Sequence, residues 1–155
     1  MKTLWKYLLR TAIAGSMLLG LAGSVLAVSN PVVLVTEEEG GVGNAPPGPI
    51  DAGELLSNGP FIEVIKPEQD AVLRSPIPIV VRFIPNRSDV DLSSFKVEVL
   101  KLWTIDITSR VLPYTTREGI NVENATLPSG EHKLRVTIGD VGGGVSRIVF
   151  HVKIL

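Results

Sequence analysis

The chain has 155 residues, a formal charge of −1, no cysteine, two histidines, and 45% hydrophobic against 20% charged residues. Without cysteine there can be no disulfide, thiolate metal site or thiol catalysis, so any folded part is held by its apolar core alone. A near-neutral balance with dispersed Lys and Arg argues against nucleic acid as a partner.

The first element is an export signal. Lys2, Lys6 and Arg10 form a basic start, residues 11–26 are apolar and uncharged, and Val25 and Ala27 place small side chains at a cleavage position. Gly15, Ser16, Gly20, Gly23 and Ser24 dilute the apolar run, which favours a cleaved signal (residues 1–27) over a membrane anchor. Cleavage leaves twelve basic and sixteen acidic residues, a formal charge of −4. The product is expected in the periplasm or outside the cell, with no membrane attachment once the signal is removed.

Residues 28–60 shift in composition. Glu37, Glu38 and Glu39 are followed by a stretch rich in Gly and Pro, from Gly40 to Pro60, which reads as a flexible arm. Val32, Val33, Leu34 and Val35 interrupt it as a short β-prone island. That island is either an extra edge strand of the same domain or a remnant of the signal region, or else a strand added to a neighbour's open sheet edge. The last option would make the protein an assembly subunit capable of self-association.

Residues 61–155 carry the period-two alternation of half-buried strands. Ile77, Ile79, Val81 and Phe83 share one face, as do Phe95, Val97 and Val99, then Leu134, Val136 and Ile138, and finally Ile148, Phe150, Val152 and Ile154. Shorter strand patterns lie at 62–65, 105–107 and 120–127. Turn chemistry separates them: Pro67 with Asp70, Pro85-Asn86, Pro128 with Gly130, and Gly142-Gly143-Gly144. Pro76 and Pro78 flank the start of one long strand, which suggests an edge position or a sheet-switching bend. Turn signals spaced this way predict an all-β sandwich of about seven antiparallel strands.

The runs Phe61-Ile62-Glu63-Val64, Val72-Leu73-Arg74-Ser75-Pro76, Val80-Val81-Arg82-Phe83, Val90-Asp91-Leu92-Ser93-Ser94-Phe95 and Gly130-Glu131-His132-Lys133-Leu134-Arg135-Val136 resemble the bacterial immunoglobulin-like domains of secreted and surface proteins. The resemblance covers residues 61–155 in one copy. It implies an immunoglobulin-like β-sandwich with a binding or spacer role, and it names no ligand.

No spacing of side chains points to catalysis, and no cofactor is expected. His132 continues the inward parity of Leu134 and Val136 and reads as structural, while His151 has outward parity. Asp89, Asp91, Asp140 and Glu131 are loop acids of the type that can hold calcium, but Asp91 and Asp140 fit backbone-capping roles in turns better. The residues with a recognition chemistry are Trp103, Tyr114, Arg110 and Arg117, an aromatic and guanidinium set of the kind that anchors interfaces. Alternatively, Trp103 folds over the end of the core. The expected function is a non-catalytic exported module that binds another exported or envelope protein.

Overall fold

The computed structural model describes residues 30–46, 58–69 and 71–155. The proposed signal, residues 1–27, lies outside them, as does the turn residue Asp70. Among the described residues ten strands form: β1 (Val32–Val33), β2 (Phe61–Lys66), β3 (Val72–Leu73), β4 (Ile77–Ile84), β5 (Val90–Leu100), β6 (Thr104–Asp106), β7 (Thr115–Thr116), β8 (Gly119–Thr126), β9 (Gly130–Asp140) and β10 (Val145–Ile154). One sheet has the order β1-β8-β4-β2 with β7 also on β8; the other has the order β3-β10-β9-β5-β6.

Alternation places the core between these sheets. Ile77, Ile79, Val81 and Phe83 of β4 face Phe95, Val97 and Val99 of β5 and Leu134, Val136 and Ile138 of β9, all buried. The rings of Phe83 and Phe95 meet across the sheets with centroids 6.1 Å apart and a tilt of 58°. Val152 and Ile154 close the core from β10, with Ile148 and Phe150 packed half-buried against it.

Among themselves the seven strands of three or more residues pair only antiparallel, whereas two of the two-residue strands add to them in parallel, β1 on β8 and β3 on β10. The sheets are therefore mixed rather than wholly antiparallel. β3 belongs to the second sheet while β2 and β4 belong to the first, so the chain crosses between sheets near Pro67 and returns near Pro76. β4 lies inside its sheet, between β8 and β2, and not at an edge. The missing N–H of Pro78 is absorbed where the β4–β8 register shifts between Ile77 and Ile79.

The largest departure from the sequence reading is in residues 30–46, which are not a flexible tether. They form a strap. Leu34 N–H donates to Thr126 O at 3.0 Å, extending the β1–β8 pairing, and Leu34 and Val35 enter the core at 2% exposure each. A one-turn helix follows, α1 (Glu37–Gly40), closed by a capping box in which Thr36 and Glu39 bond each other's backbone N–H. Burial of Leu34 and Val35 offsets the ordering entropy that the glycines cost.

Candidate functional site

The strap crosses the open side of the sandwich, from the β8 edge of one sheet to the β5–β6 hairpin of the other. Its central fastening is Arg110, at the end of a second one-turn helix, α2 (Thr108–Val111). The Arg110 guanidinium forms a fork on Glu39, at 2.7 and 2.8 Å, and donates from Nη1 to Leu34 O at 2.7 Å. Parallel N–H bonds to a carboxylate are the strong form of such a pair. The Arg110 hydrogen bond, the largest cause, lowers the Glu39 pKa to about 2, against the opposing effect of partial burial.

The strap's far end is fastened by Lys101, whose Nζ donates to Asn44 Oδ1 at 2.8 Å and to Glu131 O at 2.9 Å. Leu102 N–H donates to Gly43 O at 2.7 Å. Burial lowers the Lys101 pKa. Nearby, His132 is 1% exposed and its Nε2 lies 2.8 Å from Pro128 O. Since a carbonyl only accepts, Nε2 carries the proton and Nδ1 is bare in the neutral ring; Nδ1 has no partner among the described residues. Burial lowers the His132 pKa, the Pro128 hydrogen bond works against this, and the charge of Lys101 adds to the lowering.

Between these fastenings the β5–β6 hairpin turns through Leu102 and Trp103, which stand out at 66% and 62% exposure. Trp103 therefore does not fold over the core. It borders a groove with Thr104 and Ile105 on one side and Glu38, Glu39 and Val42 of the strap on the other.

The four residues singled out as an anchor set do not form one group. Arg110 is a clamp within the molecule, committed to Glu39 and Leu34. Arg117, in the β7–β8 turn, acts electrostatically on Asp91 at the start of β5, while Trp103 lies past its end. Nine residue steps along that strand separate the two regions by about 30 Å. Tyr114, 40% exposed, ends the 3-10 turn Leu112–Tyr114 that leads into β7 on the first sheet. Val32, Val33, Leu34 and Val35 fill an edge of their own sheet, so donating them to a neighbour requires withdrawing two core residues.

Glu38, Glu39, Val42 and Asn44 were missed because they lie in the segment read as an arm. A signal for them exists: Thr36 followed three residues later by Glu39 is the capping-box pattern. Two of the loop acids serve their own turns, and Glu131 pairs with Lys153 of β10 at 3.3 Å. Asp91 accepts from the backbone N–H and the hydroxyl of Ser93, and Asp140 Oδ1 accepts from Gly142 and Gly144 N–H at 3.0 and 2.8 Å. On the outer face of the second sheet Glu98 is buried yet ionised more readily than usual. Burial raises its pKa, but the contacts from Lys96 at 2.6 Å and Arg135 at 2.8 Å outweigh that. No group of three metal-ligating side chains occurs among the described residues.

No family model and no curated protein matches this chain. Among solved structures, an endo-beta-1,4-mannanase from Thermotoga petrophila is similar over 62% of this chain, at 12% sequence identity and a TM-score of 0.44. The chain spans 20% of the length of that mannanase, and nothing about activity follows from so distant a likeness.

Proposed function

We propose that the protein is an exported, non-catalytic module of immunoglobulin-like type that binds another exported or envelope protein through its β5–β6 hairpin tip. Three features support this reading. The order β2-β4-β8 in one sheet and β10-β9-β5-β6 in the other matches the A-B-E and G-F-C-C′ arrangement of immunoglobulin-type sandwiches. The layout of residues 1–27 is that of a secretory signal. The titratable groups described above are engaged in clamps, turns and ion pairs rather than gathered in a cleft.

The observation that carries the proposal is the exposed Leu102-Trp103 pair. An aromatic and an aliphatic side chain side by side in water, on a hairpin whose backbone is tied down by Gly43 and Asn44, form a pre-organised anchor. Site-specific photo-crosslinking tests it. A photoreactive residue at position 102 is expected to capture a discrete exported protein in the native cell, and the same residue at position 151, on the last strand, is expected to capture none. Equal capture at both positions, or none at position 102, refutes the assignment of the tip.

A further inference from the structure

The partner's chemistry can be read from the groove beside the tip, granted that the tip is a protein-binding site. Lys101 N–H donates to Trp103 O, Ile107 N–H donates to Val97 O, and Val99 lies opposite Ile105. Hydrogen-bonded pairs in an antiparallel ladder recur at every second residue, so 101/103, 99/105 and 97/107 are the bonded pairs. Thr104 and Asp106 therefore turn their backbone N–H and C=O away from β5. β6 ends its sheet, and the described residues supply no backbone partner for these groups. The groove with Glu38 and Val42 lies along this open edge.

The charges there are unequal. Glu39 is neutralised by Arg110, and Lys96, which acts on Asp106, is held by Glu98 at 2.6 Å. Glu38 stays exposed and acidic in the groove, Asp106 is exposed on the opposite face of β6 from Ile105 with Oδ1 accepting from Thr108 N–H at 2.9 Å, and Arg110 and Lys101, the cations of the fastenings, are both committed. Val42, Trp103 and Ile105 supply the apolar surface.

We infer that β6 receives an extended segment of the partner as an added strand, with apolar side chains on Val42, Ile105 and Trp103, alternate basic side chains on the opposite face beside Asp106, and Glu38 adding negative charge at the groove. Main-chain hydrogen bonds to Thr104 and Asp106 supply affinity, and the alternation of side chains supplies selectivity. The shortness of β6, three residues, together with its acidic border, discourages pairing with neutral or acidic strands, including a second copy of this edge.

The test is amide NMR of the isotope-labelled protein titrated with synthetic octapeptides. A peptide of alternating Lys and Val is expected to shift the amides of Thr104, Ile105 and Asp106 and the indole of Trp103, with affinity falling as salt is added. A peptide of alternating Glu and Val is expected to bind about tenfold more weakly, and Glu38→Lys in the protein is expected to narrow that ratio. The Lys–Val peptide with every backbone nitrogen methylated is expected not to bind, because neither of its edges can then donate to a ladder. Equal binding of the acidic peptide, unchanged binding of the methylated one, or shifts confined to another edge overturns the inference. If the peptides fail while crosslinking at position 102 succeeds, strand addition is wrong and the protein-binding reading stands. If the crosslinking also fails, the reading itself falls.

Discussion

Leu34-Val35 and Leu102-Trp103 are both adjacent apolar pairs outside the regular strand alternation, and the same strap touches both regions. Leu34 and Val35 are 2% exposed, whereas Leu102 and Trp103 are more than 60% exposed. The difference arises from backbone pairing rather than hydrophobicity. The first pair follows a strand bonded to β8 and is locked by Arg110, so its side chains are carried into the inter-sheet space. The second pair lies in the three-residue turn 101–103 between Leu100 and Thr104, where the chain reverses and both side chains are left largely in water. One pair is part of the core, and the other is the exposed tip proposed as the binding site.

Cutting into the buried pair tests this most sharply. Leu34→Ala is expected to lower unfolding stability by about 3 kcal/mol, through lost transfer energy plus the cavity left behind. Urea denaturation measures it, and a loss under about 1 kcal/mol would mean that the strap is not part of the cooperative core.

The clamp comes next. Arg110→Ala removes the fork on Glu39 and the bond to Leu34 O; given partial solvent access at Arg110, the expected cost is about 2 kcal/mol. Glu39→Ala combined with it should cost less than the sum of the two single changes, because both break the same pair and only the capping-box bond to Thr36 N–H is lost in addition; full additivity in a double-mutant cycle would show the two to be uncoupled.

Acid should act on both fastenings at different pH. The His132 pKa lies below its ordinary 6.5, so the unfolded chain binds more protons than the folded one just below that value, and stability falls as pH drops through this range. The charged ring would carry a buried, unpartnered Nδ1–H close to Lys101. Glu39 contributes fully above about 4.5 and loses its contribution as pH falls towards about 2. A stability profile from pH 7 to 2 should therefore decline in two stages, with Arg110→Ala reducing only the lower, to which Glu98 also contributes. A profile in which Arg110→Ala flattens both stages equally would contradict the assignment.

The smallest stability effect is expected at the exposed pair. Trp103→Ala should change unfolding free energy by no more than about 0.5 kcal/mol while abolishing crosslinking at the tip. A stability loss as large as that of Leu34→Ala would place Trp103 with the core and end the contrast.

Much of this was open to reading in the linear chain because period two is a local property. A strand that buries one face must alternate, and Ile77 to Phe83 or Leu134 to Ile138 do so wherever their sheet lies. The inward parity of His132 and the turn-capping roles of Asp91 and Asp140 are equally local, depending on residues no more than four positions away. The strap was hidden for the opposite reason. Its composition averages to that of a tether, and the few residues that order it, Leu34, Glu39 and Asn44, act on Thr126, Arg110 and Lys101, all at least 57 positions later.

Residue pattern alone therefore determined the sandwich class, the strand faces and the freedom from cysteine chemistry, since each depends on side-chain type at short spacing. Tertiary structure decided that Arg110 is a clamp while Trp103 stands in solvent, that Arg117 lies far from Trp103, and that β6 is left with an open edge. Those outcomes depend on which distant backbones pair, and a charge or an aromatic ring is the same in sequence whether its neighbour in space is a carboxylate, a core or water.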